Sequence, residues 1–284
     1  MTEPRPMRED DVPAVHELAV ATFGDLERRL GSEPHAPPPD PARAYIRYRR
    51  LLATDPGGAW VAERDGALAG CALALVREGL WGLSLLIVAP RQQSGGLGRA
   101  LLRRAYAHGG DAVRGRVVLA SLDARALRSY ARLGLTAHPC LRANGVPQGV
   151  RAPAGVRDGA LADLPLTEAV DRQVRGAAHG ADIAAQLEAG MKLLVAPERG
   201  YAVVGLGEVR LLAATDEAAA CDLLRAALAR AGTGEIEVGW LTSAQDWAVR
   251  VCVEARLELS AGGAVFLAGD VGPFRPYIPS GAYL

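Results

Sequence analysis

Gln93-Ser94-Gly95-Gly96-Leu97-Gly98 lies between an apolar run, Leu83 to Val88, and a helix-patterned stretch, Arg99 to His108. A strand passing through a glycine-rich turn into a helix start aims several unpaired backbone N–H groups, and the positive end of the helix dipole, at one point. Such a point suits a phosphate. Gly96 and Gly98 have no Cβ to hold a bulky anion off the main chain, and Arg99 adds charge beside it. Alone, the pattern equally describes an ordinary tight turn. Spacing excludes two familiar phosphate loops. Arg99-Ala100 stands where a Walker loop needs Lys-Ser or Lys-Thr. A dinucleotide turn needs a third glycine and a ribose-binding acid about twenty residues on. Asp111 and Asp123 are candidates for that acid, but the stretch is preceded by hairpin-like segments, not by a βαβ unit.

What remains is Gln/Arg-x-x-Gly-x-Gly/Ala, with Val88-x-Pro90 ahead of it and Leu101-Leu102 behind. This resembles the acetyl-CoA pyrophosphate loop of the GNAT acetyltransferase superfamily. Downstream, Asp123-Ala-Arg-Ala-Leu-Arg-Ser-Tyr-Ala-Arg-Leu-Gly-Leu, ending at Leu135, resembles the second signature of that superfamily. There a polar residue, usually Asn, opens a helix that carries a Tyr, followed by Gly and an apolar strand. Tyr130 and Gly134 fall on those positions, and Asp123, in place of Asn, caps a helix equally well. The resemblance implies acetyl-CoA as co-substrate. It assigns the pantetheine arm to the backbone of Leu86, Ile87 and Val88, with an N–H near Leu86 or Ile87 polarising the carbonyl. It assigns the pyrophosphate to Gln93, Ser94, Gly95, Gly96, Leu97, Gly98 and Arg99, and a further cofactor contact to Asp123. Tyr130, a phenol of ordinary pKa ~10, becomes the donor of a proton to the departing sulfur.

With 284 residues the chain exceeds one such domain and suits two, each with its own core. Lys and Arg total 32 against 32 Asp and Glu, so no nucleic-acid footprint and no disordered polymer is indicated. Lys192 is the single lysine, a bias expected of GC-rich bacterial coding. No apolar run reaches membrane-spanning length and Met1-Thr2-Glu3-Pro4 is unlike an export signal, so the expectation is a cytoplasmic protein, without membrane or nucleic-acid partner. Cys71, Cys140, Cys221 and Cys252 stand far apart and the five histidines are scattered, so no metal is expected.

The element order reads as a short strand at Arg5 to Arg8, a helix after Asp10 with Pro13 in its first turn, a Pro-rich loop at Gly31 to Pro41, and a helix at Arg43 to Ala53. Strands follow at Trp60 to Glu63, Ala67 to Val76 and Leu80 to Val88, then the glycine turn and its helix, strand Arg116 to Ala120, the Tyr130 helix, and strand Leu135 to Arg142. That is the GNAT order over residues 5 to about 145, as the resemblance has it. The second half then repeats the first. Leu101-Leu102-Arg103-x-Ala105 recurs as Leu223-Leu224-Arg225-x-Ala227, a shift of 223 − 101 = 122, and the same shift sets Tyr130 against Cys252 and Leu135 against Leu257. Asp11-Val12-Pro13 and Asp163-Leu164-Pro165 open a helix in each half, after Arg8 and Arg157. The expected fold is therefore α/β (α+β): two tandem GNAT-like domains, each a mixed, mostly antiparallel twisted sheet flanked by helices. Residues 1–150 form the catalytic copy and 151–284 a degenerate one. In the second copy Ala214-Thr215-Asp216-Glu217-Ala218 replaces the glycines, and its carboxylates repel phosphate.

Aminolysis of a thioester needs a base for the incoming amine, and here the sequence leaves alternatives: a water ordered by Ser84 and Ser121, Glu78 at a turn, or the Leu284 carboxylate at the end of an apolar, turn-rich tail. Asp171, Arg172, Arg175 and His179 cluster near a helix end and read as a solvated basic face or as an anion site. The function expected is N-acetyl transfer to a primary amine of a small molecule or peptide, by a monomer or homodimer. The alternatives are a non-catalytic CoA sensor or scaffold, and a transferase of another acyl-CoA.

Overall fold

Alternating apolar residues and the Asp65-Gly66 dipeptide, both residues at positive φ, close a tight hairpin between β2 (Ala59–Arg64) and β3 (Ala67–Arg77). The computed structural model describes residues 3–31 and 40–284, so residues 32–39 of the expected Pro-rich loop lie outside the described residues. Two compact units divide at 113/114. In the first, β1 (Arg5–Pro6), β2, β3 and β4 (Leu80–Val88) pair in that order, all antiparallel, with α1 (Val12–Arg29), α2 (Pro41–Thr54) and α3 (Leu97–Tyr106) packed on them. A Cβ on Gly70 would meet the Leu101 side chain of α3 at 2.7 Å, so glycine is what lets that helix seat on β3. Its neighbour Cys71 is wholly buried. Adjacent strand residues face opposite sides, so Cys71 turns away from α3. Trp81, also fully buried, donates its indole N–H to the Ala105 carbonyl at 3.0 Å and fixes α3 along the strand.

A carboxylate lies inside this unit. Asp55 is 2 % exposed and accepts from the Val76 N–H at 2.9 Å, from the Thr54 hydroxyl at 2.6 Å and from Arg77 at 2.8 Å, with His108 Nε2 at 3.1 Å. Burial alone would push its carboxyl up; the surrounding donors outweigh burial and hold it at about 2. The knot ties the start of β2 to the end of β3 and to the turn after α3.

The second unit comprises β5 (Gly115–Ala120), α4 (Ala124–Ala131), β6 (Thr136–Gly145), β7 (Arg157–Asp158), α5 (Leu164–Val174), α6 (Ala181–Glu188), β8 (Lys192–Ala196), β9 (Gly200–Gly205), β10 (Glu208–Ala214), α7 (Glu217–Ala231), β11 (Ile236–Leu241), α8 (Asp246–Glu254), β12 (Glu258–Gly269) and β13 (Tyr277–Ile278). Its strands run β5-β12-β6-β11-β10-β9-β8-β7, with β13 added to β10. β12 therefore lies between β5 and β6, and β6 between β12 and β11. Each strand–helix–strand segment surrenders the gap beside its first strand to the other segment's last strand. The sequence reading sets its boundary at 150/151, whereas compactness divides the chain at 113/114; β6 and β12 interleave within one sheet.

The repeat is visible element by element. A shift of 122 carries α4 onto α8 and β6 onto β12 residue for residue at their starts: 246 − 124 = 122 and 258 − 136 = 122. At the opening of the copies the shift is 152, and it matches Arg5 to Arg157 (157 − 5) and Asp11 to Asp163 (163 − 11). Arg5 meets both oxygens of Asp11 at 2.8 Å, and Arg157 meets both of Asp163 at 3.0 and 2.6 Å. The same carboxylates accept from the N–H of Arg8 at 2.7 Å and of Ala160 at 2.9 Å. The counterpart of Arg157 is thus Arg5, not Arg8: a planar guanidinium fork matches both carboxylate oxygens, and position 8 supplies only its backbone.

Candidate functional site

The glycine turn begins where β4 ends. Gln93 donates its side-chain amide to the Val88 carbonyl at 3.0 Å, and the Gln92 N–H bonds the Ala89 carbonyl at 2.8 Å, so residues 89–93 fold back on the strand. Ser94 and Gly96 both have positive φ, Gly96 at +86°. Gly96 is the N-cap of α3, and no side chain caps that helix. The first helical bond runs from the Ala100 N–H to the Gly96 carbonyl at 3.1 Å, leaving the Leu97, Gly98 and Arg99 amides without intrahelical partners. Ser94, Gly95, Gly96 and Arg99 are exposed, and a Cβ on Gly96 would meet nothing within 4 Å. Space above Gly96 is therefore open, and its left-handed backbone is what requires glycine there. Gly98 serves differently from the expectation: its missing Cβ would sit 3.3 Å from Val88 Cγ2, so it brings α3 close to β4. Leu86, Ile87 and Val88 pair with Ala72, Cys71 and Gly70 of β3, which holds this end of β4 in register.

In the second unit, Asp123 caps α4. Its carboxylate accepts from the Arg125 N–H at 2.8 Å and from the Arg125 guanidinium at 3.0 and 2.6 Å, so the side chain is spent on the helix start. Tyr130 is 5 % exposed and meets Phe266 of β12 edge to face, ring centroids 5.6 Å apart. Burial, and after it the Asp123 charge, push its phenol well above the ordinary range, so the ring keeps its proton. Glu78 occupies the turn before β4, with roughly 25 Å of strand between it and Val88. Ser84 is buried, and the Ser121 hydroxyl accepts from the Asp123 N–H at 3.4 Å.

The corresponding places in the second copy are filled. Residues 89–96 join β4 to α3, but only Thr215 and Asp216 join β10 to α7. Asp216 caps α7 by accepting from the Ala219 N–H at 2.9 Å and pairs with Arg199 at 2.6 Å. β10 and β11 pair only at Glu208–Val209 with Glu237–Val238; beyond that, β13 takes the same edge of β10, Leu212 against Ile278 and Ala213 against Tyr277. Cys252, at the Tyr130 position, is wholly buried, and burial pushes its thiol up to about 12.

The polar cluster of α5 is an interior network rather than a solvated face. Asp171, Arg175 and His179 are each at most 1 % exposed; Arg172 alone stays outside, paired with Glu168 at 3.2 Å. Asp171 accepts from Tyr201 at 2.5 Å and from the His179 N–H at 3.0 Å, and its Oδ2 lies 2.9 Å from His179 Nδ1. Burial raises the Asp171 carboxyl, but His179, Arg175 and Tyr201 together bring it below the ordinary range. His179 Nε2 lies 2.8 Å from the Leu284 carbonyl oxygen, which also accepts from the Tyr277 hydroxyl at 2.9 Å. The end of the tail, entertained as a base, is thus enclosed and held. Sequence reasoning read Asp171 and His179 by residue type; their spacing to Tyr201 and Tyr277 carried no signal.

Residues 14–135 match the model of the acetyltransferase (GNAT) family. The match spans less than half of the chain, and the solved structures similar to it share its fold. Its fold is that of a putative acetyltransferase from Pyrococcus horikoshii, at 16 % identity and a TM-score of 0.81 over 99 % of this chain and 95 % of that one. A GCN5-related N-acetyltransferase from Sphaerobacter thermophilus aligns at 17 % identity and TM-score 0.57, covering 99 % and 98 %. A tandem GNAT protein from the clavulanic acid biosynthesis pathway aligns at 15 % and 0.58, covering 95 % and 98 %. No curated protein matches. Among the described residues no group of side chains could hold a metal ion, and no helix is long and apolar enough to cross a membrane.

Proposed function

We propose that this chain is a tandem GNAT protein, an acyltransferase that moves an acetyl group from acetyl-CoA to a primary amine of a small molecule or peptide, using one coenzyme site per chain. In this reading residues 1–150 carry the chemistry and 151–284 form a degenerate copy. One observation carries it: the uncapped, open start of α3 at Gly96, against the capped and shortened start of α7 at Asp216. A diphosphate gains from unpaired amides and a helix dipole, and it is repelled where a carboxylate already satisfies them.

Acetyl-CoA supplies a thioester whose carbonyl carbon accepts the amine lone pair and whose sulfur leaves. The Leu97, Gly98 and Arg99 amides, with Gln93 to Gly96 shaping the turn, hold the pyrophosphate, and the Arg99 side chain adds charge. Backbone groups of Leu86, Ile87 and Val88 hold the pantetheine arm and polarise the acyl oxygen. Tyr130 gives its proton to the departing sulfur; its raised phenol pKa keeps that proton in place at neutral pH. Asp123 contributes by setting the head of the Tyr130 helix. The amine is deprotonated through ordered water near Ser84 or Ser121.

Isothermal titration with acetyl-CoA, followed by CoA-release assays with an alkyl diamine, an amino sugar, a free amino acid and a short peptide, tests the reading. The expectation is one equivalent bound and release stimulated by at least one amine. Binding with no release under any amine would make the protein a sensor. Tighter competition by a longer acyl-CoA would change the donor.

A further inference from the structure

We infer that Phe266, carried on the last long strand of the second copy, is a positioning residue for Tyr130, so that the copy without a site completes the site of the other. The inference rests on the reading of Tyr130 as proton donor. β12 enters the gap between β5 and β6, pairing Phe266 with Val118 on one side and with Ala137 on the other. From there its ring meets Tyr130 at 5.6 Å and 70°, a T-shaped contact, with Phe266 1 % exposed. An edge-to-face partner restricts the rocking of a phenol and excludes water from one of its sides, both of which serve a group that must aim one proton.

The repeat supplies a comparison within the molecule. Beyond the bulge between Ala261 and Gly263 the strand pairing gives the counterpart: Phe266 pairs with Ala137, and Leu259, the 122 counterpart of Ala137 (259 − 137 = 122), pairs with Ala143, which shares a buried cluster with Cys252, with no ring on either side. The reciprocal strand insertion, β6 between β11 and β12, forms all the same. An aromatic pair is therefore not what the interleaved sheet needs. It occurs at the copy whose helix carries the tyrosine.

The test is a double-mutant cycle with Tyr130→Phe, Phe266→Leu and both together, assayed by CoA release with the panel amine that reacts fastest. Phe266→Leu is expected to lower kcat about fivefold, leaving KM for acetyl-CoA unchanged. It should add nothing to the loss already caused by Tyr130→Phe. Val117→Ala, on the opposite face of β5, controls for lost stability and should keep kcat. If Phe266→Leu does not fold, Phe266→Met carries the same test. NMR of 13C-labelled tyrosine gives a readout independent of turnover, since Phe266→Leu should bring the Tyr130 titration down toward the ordinary range. Wild-type kcat, strict additivity, or an unmoved Tyr130 titration in Phe266→Leu each overturns the inference. Full activity in Tyr130→Phe instead overturns the proton-donor reading itself.

Discussion

The turn after β4 and the turn after β10 begin from the same kind of strand and end at the same kind of helix, yet one is open and the other closed. In the first copy residues 89–96 curl back on Val88 and leave the head of α3 uncapped. In the second the link is Thr215-Asp216, the cap is a carboxylate, and β13 lies along the strand edge. On the proposed function, the comparison is of a copy that loses a site without losing its fold. The helix dipole is answered from within, and the exposed backbone of the strand is paired with the chain's own tail. Both changes satisfy groups that would otherwise want a ligand.

Each half also keeps a buried aspartate beside a histidine, Asp55 with the half-buried His108 and Asp171 with the buried His179, and these give the sharpest ways to pull the two apart. The largest effect is expected from His179→Ala, which leaves Asp171 buried beside fewer donors and frees the tail carbonyl: about 3 kcal/mol of stability, read by urea unfolding, with faster hydrogen exchange at Ile278. Retained tail protection would show that β13 holds without the network. Next, Gly96→Asp copies the second turn into the first. A side chain at φ +86° and a carboxylate at the phosphate position should weaken acetyl-CoA on the order of 100-fold by titration; an unchanged affinity would remove the turn from the site.

Asp55→Asn should cost about 2 kcal/mol at neutral pH, the linkage value of a carboxyl held at about 2 instead of 3.8. The sign follows from a depressed carboxyl pKa. Its stabilisation is complete above the ordinary carboxylate range and is lost as pH falls toward 2, so the wild type and Asp55→Asn should converge in acid melts. Parallel curves across that window would assign the stability to another group. The smallest change is Asp216→Ala, which removes the α7 cap for about 1 kcal/mol and should create no second coenzyme equivalent, because β13 still occupies the strand edge. A second equivalent would make the cap, and not the tail, the reason the second copy is closed.

Much of this was legible in the residues. A glycine between strand and helix suits the positive φ found at Gly96, and the 122 shift set Cys252, which lies in α8, against Tyr130, and Leu257, just ahead of β12, against Leu135, since helix registers survive where loops do not. Other features were not legible. The interleaving of β6 and β12 depends on which of two similarly apolar strands fills a gap, and pairing between segments so distant leaves no local mark. Asp171, Arg175 and His179 resemble a surface helix because charge is read residue by residue, while burial is decided by what Tyr201, Tyr277 and Leu284 bring from elsewhere. Gly98 looked like room for an anion and turned out to be room for Val88.

The threading of β6 and β12 through one another has a practical outcome for anyone who would cut the gene in two. A fragment ending at 150 would expose the flank of β5 that β12 covers, and a fragment starting at 151 would leave β11 and β12 without the strand that joins them. Neither piece could bury its own edges. Expressed apart they should be insoluble, and expressed together they should find each other, which would turn the linker between them from a structural necessity into a convenience of synthesis.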